Sequence, residues 1–172
     1  MDSKQVMRRT AELRRVHSDA AADLERVLAP HLAQSTRIAS YVAFGVEPFV
    51  ESRRGWLLPV LQPSGDLDWA VDDGTYTVNR HGISEPAGRR LGPEAVADCD
   101  LVLVPALLVD RRGTRLGRGG GSYDRALARA TGLTIALLHD GELVDELPRE
   151  PHDIPVAAVA TPSLGVVLLP RQ

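Results

Sequence analysis

The chain has 172 residues and a formal net charge of −3 at pH 7; 44% of its residues are hydrophobic and 25% are charged. This composition is ordinary for one globular domain with its own core, and the charge excludes a protein that binds polyanions over its whole surface. The single cysteine, the charged N-terminus and apolar runs of only about nine residues predict a cytoplasmic protein, one domain over residues 1–172, with no signal peptide or membrane span.

The N-terminal part of the sequence predicts one helix followed by two strands. Apolar residues recur at helical intervals over residues 4–34, and Pro30 indicates that this helix bends or ends near Ala29. Residues 37–44 are rich in strand-forming residues. Residues 56–61 predict another strand, whose proline indicates the end or the edge of a sheet.

The middle of the chain predicts short elements. Residues 67–71 and 75–79 predict two strands, and the turn sequence DDG between them predicts a hairpin. Residues 82–90 predict a loop. Residues 94–100 predict one helical turn.

The C-terminal part alternates strands with a helix. Residues 101–110 are apolar throughout, which is typical of a strand buried on both faces of a parallel sheet. Residues 122–132 predict a helix with Ser122 as its N-cap and Gly132 as its stop signal. Further strands are predicted over residues 134–139, 156–161 and 165–170. This alternation predicts the α/β class, with a mainly parallel sheet flanked by helices.

The sequence RLGRGGGSYDR, residues 115–125, lies between the apolar strand and this helix. A strand, a glycine-rich loop and a helix in this order can bind phosphate, because backbone N–H groups converge in the loop and the helix begins with a positive dipole end. The arginines match phosphate oxygens, and Asp124 would suit a nucleotide-bound Mg²⁺. The alternative is a flexible surface turn in which Asp124 interacts with the helix dipole.

Two common nucleotide-binding motifs are excluded. The loop has no Gly-Lys-Ser/Thr, and the only lysine of the chain, Lys4, lies far away in the sequence, so the loop is not a Walker A motif. Ser122 stands where the dinucleotide fingerprint beginning at Gly117 would need its last glycine. The loop therefore predicts a phosphate site of another kind.

The longer stretch LVLVPALLVDRRGTRLGRGGGSYDR resembles the 5-formyltetrahydrofolate cyclo-ligase family, also called methenyltetrahydrofolate synthetases. That family has a buried strand ending in Val-Pro, then an acid, a glycine, Arg-Leu-Gly, a glycine cluster and Tyr-Tyr-Asp-Arg. Other family landmarks occur in the same order: Lys-x-x-x-Arg at residues 4–8, SYVAFGVEP at 40–48, LLP at 57–59, GISEP at 82–86 and PHDIPVAAVAT at 151–161. The resemblance covers most of the chain.

The resemblance implies a three-layer α/β/α fold and an ATP- and Mg²⁺-dependent enzyme. Members of the family convert 5-formyltetrahydrofolate to 5,10-methenyltetrahydrofolate with release of ADP and phosphate: ATP phosphorylates the formyl oxygen, N10 attacks, and phosphate leaves. Phosphoryl transfer needs positioning and charge neutralisation more than a nucleophilic side chain, and a glycine loop, arginines and a metal can supply both.

The resemblance also implies roles for individual residues. ATP would be bound by Lys4, Arg8, Arg115, Leu116, Gly117, Arg118, Gly119, Gly120, Gly121, Ser122, Tyr123 and Arg125. Arg118 and Tyr123 would act as catalytic residues, Val42, Glu47 and Trp69 would bind the folate, and Asp124 and Asp153 would hold Mg²⁺. The structural alternatives are a solvated helix face for Lys4 and Arg8, a loop acid for Glu47, a turn or cap residue for Asp153, and core positions for Val42 and Trp69.

Two features depart from the family pattern. The family has Tyr-Tyr-Asp where this chain has a serine, Ser122, before Tyr-Asp. Residues 48–56 are too few for the helix that the family has there. This segment is therefore expected to be a loop on one side of the sheet, or else one sheet face is exposed or covered by a partner chain.

Three functions stay open at this point. The first is a cyclo-ligase, the second a divergent, non-catalytic nucleotide- or folate-binding paralogue, and the third an ATP-dependent enzyme that acts on another small substrate. In each case we expect small-molecule ligands, no nucleic acid, no membrane, and a monomer or weak homodimer.

Overall fold

The computed structural model describes residues 2–16 and 20–170. The helices are α1 (Ser3–Arg14), α2 (Ala20–Gln34) and α3 (Ser122–Arg129), with a 3-10 helix over Pro93–Asp98. The strands are β1 (Ile38–Ala39), β2 (Leu57–Leu61), β3 (Leu67–Val71), β4 (Tyr76–Val78), β5 (Ser84–Pro86), β6 (Leu101–Pro105), β7 (Leu108–Asp110), β8 (Arg115–Leu116), β9 (Leu133–Leu137), β10 (Leu143–Val144), β11 (Ala158–Thr161) and β12 (Gly165–Leu168). Among these helices, none has the length and apolar character needed to cross a lipid bilayer.

A seven-stranded sheet organises the described residues, in the order β12-β11-β9-β6-β1-β2-β3. The strands from β11 to β2 are parallel to their neighbours, and β12 and β3 pair antiparallel at the two edges. Two smaller sheets, β10-β7-β8 and β4-β5, are separate from it. The predicted α/β class with a mainly parallel sheet is therefore confirmed.

Helices cover both faces of this sheet. The buried face of α2 carries leucines four residues apart, namely Leu24, Leu28 and Leu32, and burying each one stabilises the fold by about 2 kcal/mol. α3 and the 3-10 helix pack on the other face. β6 serves both faces, since Leu103 packs with the α2 cluster and the adjacent Val104 with the α3 cluster. The three-layer arrangement is therefore confirmed.

The single helix predicted over residues 4–34 is wrong, because α1 and α2 are separate helices. Arg15 has an extended backbone and ends α1, and its guanidinium group is held by Glu142. Part of the predicted helix, residues 17–19, lies outside the described residues.

α2 does not end near Ala29, where the sequence predicted a bend or an end. It continues through Pro30 to Gln34. Leu28 and Leu32 are buried on either side of the proline, and their packing outweighs the helical hydrogen bond that proline cannot make.

The strand predicted over residues 37–44 shortens to the two residues of β1; Tyr41 beyond it is buried, and its hydroxyl donates a hydrogen bond to the Pro48 carbonyl. β1 pairs with β2 only at Ala39 and Leu57. Pro59 therefore lies beyond the end of β1, and on its other side it pairs with Trp69 of β3. The strand predicted over residues 56–61 is present as β2, but the strand end or edge that its proline indicated is wrong, because β2 lies between β1 and β3 with Pro59 at its centre.

The hairpin predicted between residues 67–71 and 75–79 is wrong. β3 pairs with β2, and β4 pairs with β5, which lies inside the loop predicted over residues 82–90. Trp69 explains the pairing of β3, because its side chain is fully buried in the core. Burial of this ring outweighs the local turn signal.

The apolar run over residues 101–110 is divided between two sheets. β6 ends at Pro105, and β7 pairs with β8 and β10. Arg15 and Arg115 donate hydrogen bonds to the carbonyl groups at this break. The predicted helical turn is present as the 3-10 helix, and the last three predicted strands are present as β9, β11 and β12.

α3 begins at residue 122, where the predicted helix begins, but its N-cap and its end differ from the prediction. Gly121, with a φ of 68°, is the N-cap, and Ser122 is the first helical residue, so the predicted Ser122 cap is wrong. The left-handed backbone at this position favours glycine. The helix ends before Gly132, where a Cβ atom would collide with the carbonyl oxygens of Cys99 and Asp100.

Residues 48–56 form a loop, which is one of the arrangements the sequence predicted. Val50 and Trp56 within this loop are buried, and they pack in the cluster that contains the α2 leucines. The short segment therefore covers part of the sheet face that a helix would otherwise cover.

Candidate active site

A cavity of about 430 Å³ opens at the carboxyl ends of β1 and β6. Ligands of parallel sheets bind at this edge. The predicted site residues that line the cavity are Lys4, Arg8, Val42, Glu47, Asp153 and the continuous run from Arg115 to Asp124. A larger cavity, of about 670 Å³, is lined by another face of α1 and by none of these residues.

The loop between β8 and α3, residues 117–121, forms one wall of the smaller cavity. Gly119 and Gly121 have φ values of 102° and 68°, a backbone conformation that favours glycine. Gly121 is the N-cap of α3, and no side chain caps the helix. The first amide groups of α3 therefore lie at the cavity, where an anion would satisfy them.

Arg115 lies behind this loop, and its side chain is only 6% exposed. Its guanidinium group donates to the Pro105 carbonyl at 3.2 Å, lies 3.7 Å from Asp124 and is 5.6 Å from the centre of the Tyr123 ring. A Cβ atom at Gly117 would collide with it. Burial lowers the pKa of Arg115, and Asp124 acts in the opposite direction, so the cation is retained.

The Tyr123 hydroxyl is buried and has no hydrogen-bond partner among the described residues. Burial, and to a smaller extent Glu47, raises the pKa of Tyr123 well above its ordinary 10, while Arg115 acts against them. The hydroxyl therefore stays protonated at neutral pH, and it can donate a hydrogen bond to a ligand but cannot act as a base.

α1 contributes Lys4 and Arg8, which lie one helical turn apart and line the same cavity. The Lys4 Nζ atom is 2.7 Å from Asp153 Oδ2 and 3.2 Å from Glu150 Oε2. Arg8 Nε donates to the Gly117 carbonyl at 2.9 Å. Lys4 is thus held at the segment that precedes β11, and Arg8 is held at the glycine loop.

Lys4 and Asp153 stabilise each other's charged forms. Burial disfavours the Lys4 ammonium, but the hydrogen bonds and charges of Asp153 and Glu150 outweigh it, so the pKa of Lys4 lies above 10.5. Burial also disfavours the Asp153 carboxylate, yet Lys4 and the Glu150 amide hold its pKa below 3.8. The pair is therefore charged throughout the neutral range.

Arg118 connects the glycine loop to the segment that follows β1. Its Nε atom is 3.1 Å from Glu47 Oε1, and its guanidinium group lies 5.3 Å from the centre of the Phe44 ring. The other Glu47 oxygen accepts a hydrogen bond from the Phe44 amide at 2.8 Å. These contacts fix Glu47 and Arg118 against each other at the cavity.

The carboxylates of Asp124 and Asp153 flank one corner of the cavity. Asp124 Oδ1 accepts a hydrogen bond at 3.2 Å from the amide of Ile154, the residue after Asp153. Ligand atoms of Glu150, His152 and Asp153 lie within 4.8 Å of one another. Oxygen donors of this kind suit Mg²⁺, although Asp153 Oδ2 is already bound to Lys4.

Two predicted site residues lie away from the cavity. Trp69 is fully buried in the core, so the expectation that its ring stacks on a ligand is wrong. Arg125 is directed outward and donates to the Ser64 carbonyl at 3.0 Å, so it does not line the predicted phosphate site. Arg125 follows Asp124 in the first turn of α3. It points away from the loop because successive helical residues point in different directions.

The cavity also contains residues that the sequence-based reasoning missed. They are Tyr41, Phe44, Pro59, Leu61, Leu67, Ile83, Pro105, Ala106, Leu107, Glu150 and His152. Several of these, such as Tyr41, Phe44 and Ile83, lie within the motifs that carried the family resemblance. Those motifs were the signal that could have identified them. The others come from chain segments that only the tertiary fold brings to this edge.

The structure is that of an α/β protein with a mainly parallel sheet. A glycine loop, a helix N-terminus without a side-chain cap, and the cations Lys4 and Arg8 line a cavity at the carboxyl edge of this sheet, an arrangement that suits an anion. The sequence profile of the 5-formyltetrahydrofolate cyclo-ligase family matches residues 2–162. The chain belongs to this family, as its motifs predicted.

Individual relatives agree with this assignment. The chain is 40% identical over 148 residues to the 5-formyltetrahydrofolate cyclo-ligase of Mycolicibacterium smegmatis, covering 77% of this chain and 76% of the relative. It is 33% identical over 149 residues to the enzyme of the same name from Escherichia coli, covering 78% and 82%.

Solved structures have the same fold. The NMR structure of Aquifex aeolicus 5,10-methenyltetrahydrofolate synthetase matches with a TM-score of 0.77 at 27% identity, covering 98% of this chain and 94% of that one. A 5,10-methenyltetrahydrofolate synthetase from Mycoplasma pneumoniae matches with a TM-score of 0.71 at 17% identity, covering 92% and 98%, and supports the fold alone.

Proposed function

We propose that this chain catalyses the ATP- and Mg²⁺-dependent conversion of 5-formyltetrahydrofolate to 5,10-methenyltetrahydrofolate, with release of ADP and phosphate. Family membership and the names of the relatives support the folate reaction. The observation that carries the proposal is a cavity with two different walls. One wall holds the glycine loop and the cations, and the other is largely apolar.

The two walls suit the two proposed substrates. Lys4, Arg8, Arg115 and the first amides of α3 form the wall that would bind a triphosphate. Apolar residues, among them Val42, Phe44, Pro59, Leu61 and Ile83, form the wall that would pack on the flat rings of a folate. The reacting formyl oxygen and the γ-phosphate would meet between them.

The residues of the cavity would act mainly by positioning and by charge. ATP supplies the phosphoryl group, and Mg²⁺, held by Asp124 and Asp153, would neutralise phosphate oxygens. Lys4, Arg8 and Arg115 would hold the phosphates in line with the formyl oxygen. Tyr123 would donate a hydrogen bond from its protonated hydroxyl, and Glu47 and Arg118 would fix the edge of the folate.

An absorbance assay for the methenyl product tests this function. We expect product only when ATP, Mg²⁺ and 5-formyltetrahydrofolate are all present. ATP binding without any product would instead identify a non-catalytic paralogue, the alternative that Ser122 and the short 48–56 loop favour. ATP hydrolysis that requires another small molecule would identify an enzyme with a different substrate.

Asp124→Asn should raise the Mg²⁺ concentration that gives half-maximal activity and lower kcat/KM for ATP about 100-fold, because an amide is a poor ligand for Mg²⁺ beside phosphate. A Mg²⁺ titration of initial rates measures both quantities. Asp145→Asn is the matched control, since Asp145 follows β10 and is a 95% exposed carboxylate paired with Arg111. An unchanged Mg²⁺ dependence in Asp124→Asn would remove Asp124 from the metal site.

We further infer a cytoplasmic protein with a single domain over residues 1–172, acting as a monomer or weak homodimer on small molecules rather than nucleic acid. The modest negative charge and the clustering of cations at one cavity support this inference.

A further inference from the structure

We propose that Arg15 and Glu142 are a positioning pair that holds α1, and with it Lys4 and Arg8, in the place where they bind the phosphates of ATP. This inference rests on the proposed function, since it concerns the ATP site. Neither Arg15 nor Glu142 lines the 430 Å³ cavity. Both line the larger cavity of about 670 Å³ instead, so an effect of the pair on the proposed ATP site would pass through other residues.

α1 has few apolar contacts to keep it in place. Its buried residues are Lys4 and Ala11, while Val6 and Leu13 are 46% and 78% exposed. A helix that buries so little apolar surface depends on polar contacts for its position. Two of these contacts, from Lys4 and Arg8, are themselves parts of the proposed ATP site.

Two further polar contacts hold α1. The Glu12–Arg118 ion pair is 3.7 Å long and about half exposed, whereas the Arg15 side chain at the C-terminal end of α1 is buried. Arg15 Nε is 2.7 Å from Glu142 Oε1, and Arg15 Nη2 is 2.9 Å from Glu142 Oε2, so the two side chains form a bidentate pair. Their side chains are only 3% and 11% exposed. Such planar, paired geometry fixes direction as well as distance.

The pair connects α1 to two segments at the cavity. Arg15 Nη2 also donates to the carbonyl of Ala106, which lines the cavity where β6 ends. Glu142 Oε2 accepts a hydrogen bond from the His139 amide at 2.8 Å, and the His139 ring is 2.7 Å from the carbonyl of Val46, next to Glu47. The Arg15–Glu142 pair thus joins α1 to the end of β6 and, through His139, to the segment that carries Glu47.

Loss of the pair should therefore weaken ATP use more than folate use. A displacement of catalytic groups by about 1 Å can lower a rate on the order of 100-fold. We expect Arg15→Met to lower kcat/KM for ATP about 10- to 100-fold while KM for 5-formyltetrahydrofolate changes less than about twofold. Amide exchange in residues 3–14 should become about tenfold faster without a matching change in β6 or β9.

The double variant Arg15→Met/Glu142→Met separates positioning from stability. Arg15→Met alone leaves a buried, unpaired carboxylate and lowers Tm, whereas the double variant removes both charges and should recover most of that Tm. A positioning role requires that the double variant keeps the fast exchange of α1 and the reduced kcat/KM for ATP. If both return to wild-type values in the double variant, the pair is structural only and the proposal is overturned.

Arg129→Met is the matched control. Arg129 also forms a bidentate pair: its Nη1 and Nη2 atoms each lie 2.8 Å from one oxygen of the Asp66 carboxylate. Arg129 lies on α3, away from α1. Its loss should lower Tm without raising exchange in residues 3–14. If the wild-type protein turns over no 5-formyltetrahydrofolate, the proposed function fails, and the exchange of α1 alone then decides whether the pair positions this helix.

Discussion

Lys4→Met should lower kcat/KM for ATP on the order of 100- to 1,000-fold, the largest effect that we expect from a residue of α1. The substitution removes a cation from the phosphate wall and leaves the buried Asp153 carboxylate, formerly 2.7 Å from the Lys4 amine, without its partner. That carboxylate would then repel the triphosphate. Steady-state rates over a range of ATP concentrations measure the loss.

The same substitution should lower the free energy of unfolding by about 2 kcal/mol, the cost of leaving a charged group unpartnered. Because the pKa of Asp153 lies below 3.8 in the folded protein, this contribution is present above pH 3.8 and is lost as the pH falls through the folded value. The raised pKa of Lys4 keeps the contribution up to at least pH 10.5. Denaturant unfolding at several pH values should show this plateau.

Lys4→Met/Asp153→Asn is the control for Lys4→Met. It removes both charges, so most of the lost stability should return, while activity stays low because a phosphate-binding cation and a proposed Mg²⁺ ligand are both gone. Recovery of both stability and activity would show that Lys4 serves only to neutralise Asp153. Wild-type activity in Lys4→Met would remove Lys4 from the ATP site.

Arg115→Met should lower kcat on the order of 100-fold or more, because Arg115 is the buried cation behind the glycine loop. Methionine occupies a similar volume, so packing on the Tyr123 ring should be largely retained. The charge that balances Asp124 and the phosphates would be lost. Arg115→Lys should recover only part of the activity, since an ammonium group lacks the planar fork that reaches the Pro105 carbonyl.

Arg111→Met is the matched control for Arg115→Met. Arg111 has a 67% exposed side chain and pairs with Asp145 at the surface, where such a pair contributes less than about 1 kcal/mol. Its activity should equal that of the wild type. The assignment of Arg115 is wrong if Arg115→Met and Arg111→Met have the same kcat.

Most of the main sheet could be predicted from the sequence, because its buried strands are continuous apolar runs and turn residues separate them. The errors occur where tertiary contacts override local signals. α1 ends at Arg15, whose side chain pairs with Glu142, 127 residues later in the chain. β3 pairs with β2, and the Trp69 ring is buried there. No local pattern in the sequence contains these distant partners.

The candidate site was predictable to the extent that it lies in contiguous motifs. The motifs that carried the family resemblance contain the glycine loop, Lys4, Arg8, Glu47 and Asp153. The fold brings these residues together at one cavity. Arg125 is part of the loop motif and yet points outward, since its direction depends on where α3 begins. Arg15 and Glu142 had no motif, and only the folded chain shows that they touch.

The shortness of β1 has a consequence for how the two parts of the sheet are held together. The β2–β3 ribbon joins the rest of the sheet through the pairing of β2 with β1. Among the described residues, this pairing has a single register pair, Ala39 with Leu57. The ribbon carries Pro59, Leu61 and Leu67 of the apolar wall, while the glycine loop belongs to the other block. Leu67 and Trp69 of this ribbon pack in one core cluster with Ala126 and Leu127 of α3. Side-chain packing, rather than the backbone ladder, therefore holds the ribbon to the rest of the sheet, and a ligand that contacts both walls would add a further connection between them.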